Sequence, residues 1–257
     1  MKRAALATIF LAALAGGVHA GTAAPYAADP DPPEHPGDYD PLERVNRGTF
    51  WVNDHFDVYL LEPVAKAWDW IAPDPLQRSI SHFFQNVRFP VVFANDLFQG
   101  KPREAGIDVA RFVINTTVGV AGFMDPAEKW WGLEPHVEDF GQTLGRWGSP
   151  AGAYLVIPIL GPSNVRDAFG LAGDYPLTIV PFFVDQYILW GARVAEGVNE
   201  RSLYLQQVRD AKEAALDYYS FVRNAYHQRR VALINDSRVE AKPQNEQDLY
   251  FFDNPQD

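Results

Sequence analysis

The 257-residue sequence contains no cysteine. We therefore expect no disulfide bond, no thiolate metal ligand, no cysteine nucleophile and no lipid carried on an N-terminal cysteine. Positive charge is also scarce, because 22 Lys and Arg residues face 33 Asp and Glu residues and the formal net charge is −11. Nucleic acids and anionic membranes attract basic surfaces, so neither is an expected electrostatic partner. Any contact with a membrane must then depend on apolar side chains.

The first twenty residues are typical of a signal peptide. Lys2 and Arg3 precede an apolar run, and Ala20 ends a stretch of small residues suited to cleavage. The run is shorter than the roughly 20 residues that a membrane-spanning helix needs. We predict that residues 1–20 are a signal peptide and that the protein is exported.

Three segments of different composition follow the signal peptide. Residues 21–39 contain five prolines among small and acidic residues, which favours an extended tether. Residues 236–257 are acidic and lack apolar periodicity outside an aromatic cluster at residues 249–252, so we predict a disordered tail. Residues 40–235 contain no repeat or linker and are expected to form one helical domain.

Apolar residues in this domain recur mainly with the period of an α-helix. One stripe predicts a helix that Pro90 bends, and Pro102 is suited to the first position of the next helix. A third pattern predicts one long helix over residues 201–234. Sustained alternation with a period of two is absent, so the predicted fold class is mainly α. The first stripe consists of Ile80, Phe83, Phe84, Val87 and Val91.

Two segments depart from this helical pattern. Residues 175–194 are apolar and aromatic, but Pro176, Pro181 and Asp185 break the run. We predict a pair of short helices there, either buried in a soluble core or lying in a membrane interface, where Trp and Tyr are common. Residues 141–161 contain five glycines and two prolines, which predict a tight hairpin or loop.

The sequence contains none of the common catalytic motifs. It lacks the nucleophile elbow of hydrolases, the paired-histidine zinc motif and the glycine-rich nucleotide-binding loops. Glu134, Glu138 and Asp139 could form an acid/base pair, but a solvated acidic loop is the favoured interpretation. We predict no enzymatic activity, no metal and no cofactor. The histidines beyond the signal peptide lack metal-ligand spacing and are His35, His55, His82, His136 and His227.

Short motifs recur in a fixed order between residues 40 and 229. They begin with Asp40, Pro41, Leu42, Glu43, Asn46 and Arg47, continue with Arg111 and Asn115, and include Arg166 beside Asp167. The strongest run is Asp139–Gly145, which Trp147 and Gly148 follow closely. Each motif is weak alone, but their order and spacing together resemble the MlaA/VacJ family of outer-membrane phospholipid-trafficking proteins.

The resemblance implies both a fold and a function. The implied fold is a monotopic, ring-like bundle of amphipathic and broken helices with a Gly-rich hairpin, in the periplasmic leaflet of the outer membrane. Mislocalised phospholipid would leave the outer leaflet through a central amphipathic channel and pass to a soluble periplasmic carrier, beside an outer-membrane porin, which maintains lipid asymmetry. The implied channel and hairpin residues are Gly141, Gly145, Gly148, Gly152, Asp167 and Asp174, the last on its position alone.

Three positions depart from the family pattern. Gly17 stands where a lipoprotein would have its cysteine, so anchoring would depend on insertion and on partner contacts. Glu62 takes the place of an arginine, which puts a headgroup contact there in doubt. Ala153 replaces a proline and predicts a more flexible hairpin.

Two other functions remain open on the sequence. The missing acyl anchor is compatible with a soluble periplasmic lipid-binding carrier, which salt or carbonate would release from membranes. A periplasmic hydrolase using Glu138 or Asp139 is the weaker alternative, because no nucleophile or oriented base accompanies them.

Overall fold

The computed structural model describes residues 40–236 except 179, 181 and 182. The predicted signal peptide and tether lie outside the described residues. So does the predicted acidic tail after its first residue, Asp236.

Helices dominate the described residues, so the predicted mainly α class is confirmed. A π-helical stretch (Asp57–Leu61) joins α1 to α2, and a 3-10 turn (Tyr175–Leu177) follows α8. In chain order the elements are α1 (Glu43–Phe56), α2 (Glu62–Ile71), α3 (Asp74–Val87), α4 (Phe89–Phe98), α5 (Pro102–Thr117), α6 (Pro126–Trp131), α7 (Phe140–Arg146), β1 (Tyr154–Ile157), β2 (Gly161–Asn164), α8 (Val165–Asp174), α9 (Gln186–Leu203), α10 (Leu205–Ala214) and α11 (Tyr218–Ile234).

Two prolines lie where helices begin. The apolar stripe around Pro90 is divided between α3 and α4, and Pro90 lies in the first turn of α4, where its missing N–H costs no hydrogen bond. Pro102 is the first residue of α5, as predicted.

The prediction of one long helix over residues 201–234 is wrong. The segment contains the end of α9 and all of α10 and α11, because the backbone leaves the helical region at Tyr204 and again at Ala215. Asp217 then starts α11, since its side chain accepts a hydrogen bond from the backbone N–H of Tyr219. Short breaks leave the apolar period almost unchanged, which is why periodicity alone predicts a continuous helix.

The Gly-rich stretch is not one hairpin. Gly141 and Gly145 lie within α7, which begins because the Asp139 carboxylate accepts a 2.8 Å hydrogen bond from the backbone N–H of Gln142. The hairpin is confined to β1 and β2, which pair antiparallel from Tyr154 opposite Asn164 to Ile157 opposite Gly161.

Residues 175–194 form the 3-10 turn and the first half of α9, with three residues outside the described part. The interpretation as two helices buried in a soluble core is wrong here. Phe183 and Tyr187 are 84% and 87% exposed, and Ile188 is also exposed.

The interior of the described domain is unusually polar. A small apolar core joins Tyr154 and Val156 of β1 to Tyr219 of α11. Elsewhere, polar groups occupy the positions that large apolar side chains usually take. The largest fully buried side chains among the described residues are Gln77, Gln142, Asn95, Asn199, Thr143 and Asp96.

Large apolar side chains are instead abundant on the surface. Five of the seven tryptophans are more than half exposed. Within the described ranges, no helix combines the length and the apolar character needed to cross a membrane. The exposed tryptophans are Trp51, Trp70, Trp130, Trp131 and Trp147.

Candidate functional site

Helices α7 and α8 cross at very short distance because glycines face each other. A Cβ atom at Gly170 of α8 would lie 2.5 Å from the backbone nitrogen of Gly141 in α7. One at Gly173 would overlap the ring of Phe140. A Cβ at Gly141 would in turn lie 2.7 Å from a carboxylate oxygen of Asp167. Larger residues at these positions would push the two helices apart.

The crossing contains a network of buried and half-buried polar side chains that we call the polar junction. It joins α7 and α8 to α11 and to Asn95 of α4. Its members are Asn95, Asp139, Thr143, Asn164, Asp167, Asp174, Tyr226 and Arg230.

Arg230 of α11 is the cation of the polar junction. Its guanidinium donates two hydrogen bonds to Asp139, with N···O distances of 2.6 and 2.9 Å, and one of 3.0 Å to Asp167. Asp167 also accepts a hydrogen bond from the Tyr226 hydroxyl. These contacts attach α11 to the beginnings of α7 and α8 at once.

Asp167 has further partners within its own helix turn. The side chain of Asn164 caps α8 by accepting a 2.8 Å hydrogen bond from the backbone N–H of Asp167, and donates one of 2.9 Å to its carboxylate. Arg166 Nε donates to the same carboxylate at 2.9 Å. The predicted channel residue Asp167 is therefore nine-tenths buried and surrounded by protein groups.

Asp174, predicted from position alone, ends α8 at the other side of the crossing. Its carboxylate accepts hydrogen bonds from Asn95 Nδ2 at 2.9 Å and from the backbone N–H of Phe140 at 3.0 Å. The Thr143 hydroxyl donates a 2.7 Å hydrogen bond to the side-chain oxygen Oδ1 of Asn95. The structure thus brings Asp167 and Asp174 into one junction.

The carboxylates of the junction have opposite pKa shifts. Burial, and then the negative charge of Asp139, raise the pKa of Asp174 to about 7, against the hydrogen bonds from Asn95 and Phe140. Burial alone would raise the pKa of Asp139 as well, but the charge and hydrogen bonds of Arg230 lower that pKa well below its usual range. Asp139 is therefore the permanent anion of the junction and Asp174 the titratable group.

The four predicted hairpin glycines occupy two different settings. Gly141 and Gly145 are packing positions in α7, and a Cβ at Gly145 would lie 2.9 Å from the Arg166 guanidinium. Gly148 and Gly152 lie in the connection to β1 with φ angles of +89° and +72°, which glycine adopts without strain. Gly141 thus lies in the junction, whereas Gly148 and Gly152 lie outside it, and the gating role of all four remains a prediction.

The opening motif fastens the start of α1 to the hairpin. Asn46 Nδ2 donates hydrogen bonds to Asp40 at 2.8 Å and to the Tyr154 carbonyl at 2.9 Å, and its oxygen accepts one from the Val156 N–H at 2.9 Å. Asp40 also accepts a hydrogen bond from the Tyr219 hydroxyl on α11. These contacts explain why an Asp and an Asn are needed six residues apart.

The other motif residues near α1 are more exposed. Arg47 makes ion pairs with Glu43 at 2.8 Å and with Asp217 at 2.6 Å, and its guanidinium lies 4.4 Å from the centre of the Tyr219 ring. Pro41 and Leu42 form the turn before α1. This part of the motif therefore connects α1 to the start of α11.

Arg111 and Asn115 of α5 hold the turn that leads into α6. Asp125 accepts hydrogen bonds from Arg111 Nη2 at 2.6 Å and from Asn115 Nδ2 at 2.9 Å, and caps α6. Arg111 also donates to the carbonyl of Leu133. These predicted motif residues have structural roles in the described contacts.

The acidic segment before α7 differs from the expected solvated loop. Glu134 is exposed, but Glu138 is only 5% exposed and forms a 2.7 Å ion pair with Lys101. Lys101 also pairs with Asp236 at 2.5 Å, so the first residue of the predicted tail contacts the domain.

Sequence reasoning missed a second polar cluster. Asp96 of α4, Asp108 of α5 and His136 of the segment before α7 lie together, although 12 and 28 residues separate them in the chain. Burial, and then a hydrogen bond with Asp96, raise the pKa of Asp108 to about 8. No local spacing pointed to the cluster, because its three residues come from separate segments of the chain.

Comparison with known proteins identifies relatives over most of the chain. Residues 38–233 match the MlaA lipoprotein family. The intermembrane phospholipid transport system lipoprotein MlaA of Escherichia coli (strain K12) is 34% identical over 219 residues, which cover 81% of this chain and 82% of the relative. The protein of the same name from Haemophilus influenzae is 34% identical over 209 residues, covering 79% and 82%.

A solved structure is similar to this chain in both fold and sequence. It is described as "Structural basis for maintenance of bacterial outer membrane lipid asymmetry" and has a TM-score of 0.68 at 33% identity. The match covers 76% of this chain and 99% of that chain. The resemblance read from the motifs is confirmed, and the chain belongs to the MlaA lipoprotein family.

Proposed function

We propose that this protein is an outer-membrane phospholipid transporter. It removes mislocalised phospholipid from the outer leaflet through a central amphipathic channel and passes it to a soluble periplasmic carrier, which maintains lipid asymmetry. The names of its relatives, which refer to intermembrane phospholipid transport, support this assignment.

The observation that carries the proposal is the reversed distribution of polar and apolar groups. Trp70 and Tyr59 are 87% and 76% exposed, whereas Gln77 and Asn95 are buried. A domain surrounded by water would expose its amides and bury its aromatic rings, since apolar burial is the main driving force of folding. Lipid is the surrounding in which this arrangement is favourable.

We place the protein in the periplasmic leaflet of the outer membrane, held by apolar insertion and by a porin partner. The 257 residues contain no cysteine that could carry an acyl chain, so the proposal relies on apolar insertion and partner contact. Exposed apolar side chains on α1, α2 and the π-helical stretch between them supply the insertion: Trp51, Tyr59, Trp70 and Ile71.

Transport requires passage and no bond breaking, and we propose that the protein is not an enzyme. Both candidate catalytic carboxylates already have cationic partners, Glu138 with Lys101 and Asp139 with Arg230. A general base would need to be free to accept a proton from substrate.

The polar junction is the proposed wall of the lipid path. Gly141, Gly145, Asp167 and Asp174 would set its width through the close crossing of α7 and α8. Gly148 and Gly152 would allow the connection to β1 to bend as lipid passes.

The test measures how much outer-leaflet phospholipid added phospholipase reaches on intact cells. A deletion strain is compared with the same strain carrying the wild-type gene. We expect exposed phospholipid to rise on deletion and to return to the parental level on restoration. Equal exposure in both strains, with the protein expressed, would contradict the proposal.

Membrane fractionation separates the transporter from the alternative soluble carrier. An inserted protein stays with membranes through salt and carbonate and leaves only with detergent. Release by carbonate from otherwise intact membranes would favour the carrier.

A further inference from the structure

The missed cluster has the composition of a metal site. A single ligand atom from each of Asp96, Asp108 and His136 lies within 4.8 Å of the other two. His136 Nε2 is 2.9 Å from Asp96 Oδ2, and His136 Nδ1 is 3.5 Å from Asp108 Oδ1. The three residues come from α4, α5 and the segment before α7, so only the fold assembles them.

Burial makes this cluster unlike an acidic surface patch. Asp96 is 0% exposed and Asp108 is 7% exposed. Asp96 Oδ1 and Asp108 Oδ2 are buried and, apart from the contact between the two carboxylates themselves, no group among the described residues hydrogen-bonds to them. Buried carboxylate oxygens without a partner are costly, because they have lost water and gained nothing in exchange. A cation held between them would satisfy both.

We propose that Asp96, Asp108 and His136 bind one divalent transition-metal ion of the Zn²⁺ type. Two carboxylates with one imidazole suit zinc, whereas Mg²⁺ and Ca²⁺ prefer oxygen ligands throughout. Zinc bonds of about 2.0–2.2 Å place neighbouring ligand atoms about 3.3–3.5 Å apart. To close around the ion, the 2.9 Å contact between His136 and Asp96 would widen slightly, and any longer separation, at most 4.8 Å, would contract. The charge of the ion would balance that of the two carboxylates.

The neighbouring charges are compatible with this assignment. Glu138 adds negative charge near His136, and Glu138 is itself paired with Lys101. Arg111 near Asp108 is held by Asp125 at 2.6 Å.

A metal at this position would have a structural effect on the polar junction. It would tie His136 to the packed pair α4 and α5, two and three residues before Glu138 and Asp139. Those two residues form the ion pairs with Lys101 and Arg230. The ion would thus fix the segment that positions the start of α7.

The test is direct metal binding by the purified full-length protein in detergent. The protein is stripped with EDTA and dialysed against ZnCl₂, MnCl₂, MgCl₂ or CaCl₂, and bound metal is measured by mass spectrometry. We expect about one zinc ion per chain and little magnesium or calcium. Absence of zinc above the buffer level, or preference for magnesium or calcium, would overturn the proposal.

Variants assign the ion to the cluster. Asp96→Asn and His136→Gln should lose the zinc, whereas Asp108→His should retain it because imidazole is also a zinc ligand. His82→Gln and Asp74→Asn, on α3, are the controls and should bind like the wild type. Circular dichroism identifies any variant that fails to fold. If one of the other variants does not fold, zinc binding by Asp108→His decides the assignment. Undiminished zinc in folded Asp96→Asn and His136→Gln would overturn the assignment.

This measurement is independent of the proposed function. Zinc binding is read on purified protein without lipid, porin or carrier. A failure of the phospholipase test would leave it untouched, and the reverse also holds.

Discussion

Two regions of the molecule differ in the kind of side chain that they bury and expose. In the polar junction, charged and amide side chains are withdrawn from solvent and pair with one another, as Arg230 does with Asp139 and Asp167. By contrast, Trp70 of α2 and Tyr59 of the π-helical stretch before it are 87% and 76% exposed. The comparison shows that directional hydrogen bonds hold the interior together, whereas many of the large apolar side chains lie on the surface.

The reason lies in the solvent that each region meets. In water, the burial of apolar side chains is favourable. In lipid, an aromatic ring gains little free energy by moving from the surface to the interior. Hydrogen bonds are stronger where water is excluded, so a network of buried hydrogen bonds can define a unique packing. The following predictions test whether the two regions depend on these different forces.

The largest expected effect is the loss of the central cation. Arg230→Met removes the cationic partner of half-buried Asp139 and one of the two cationic partners of buried Asp167, at a cost of about 3–5 kcal/mol. Denaturant unfolding in detergent measures the change. Arg78→Met is the control, because its ion pair with Asp74 is mostly exposed and should matter little. Equal unfolding midpoints for Arg230→Met and the wild type would show that the junction does not depend on its ion pairs.

The apolar surface should respond to a charge in a different assay. Trp70→Glu should weaken membrane retention by about 2–3 kcal/mol of apolar transfer free energy, with little change in folding. The fraction left on membranes after a carbonate wash measures it. Gln207→Glu adds the same charge on exposed α10 and should be neutral. Unchanged retention of Trp70→Glu would remove this part of α2 from the membrane contact.

A smaller effect is expected from one methyl group in the helix crossing. Gly141→Ala places a Cβ 2.7 Å from an Asp167 oxygen, so we expect a loss of about 1–3 kcal/mol in stability. Gly191→Ala in α9 meets nothing within 4 Å and should stabilise the helix slightly. Thermal unfolding of both variants in detergent makes the comparison. A Gly141→Ala protein as stable as Gly191→Ala would mean that the crossing is loose.

The last prediction concerns one proton. The pKa of Asp174 is raised from 3.8 to about 7 in the folded protein, so the folded state binds a proton more tightly than the unfolded state. Stability should therefore fall as pH rises through this window, and remain level above it. Asp174→Asn cannot ionise, and its stability should depend less on pH between about 4 and 7. Parallel stability curves for variant and wild type would contradict the shifted pKa.

Local signals in the sequence were sufficient for the fold class and some helix starts. The apolar period indicated helices, and Pro102 marked the start of α5, because both act within a few residues. Motif order was sufficient for the family, as the comparisons confirmed. The same local reasoning missed the breaks at Tyr204 and Ala215, because short interruptions preserve the period.

The sequence by itself therefore determined the helical class, the family and the excess of aromatic side chains. Only the tertiary structure decided that those rings lie outside, that Asp167 and Asp174 share one junction, and that Asp96, Asp108 and His136 meet. The physical reason is distance along the chain. Propensity and capping act over one helical turn, whereas burial, pKa shifts and metal geometry depend on residues that only packing brings together.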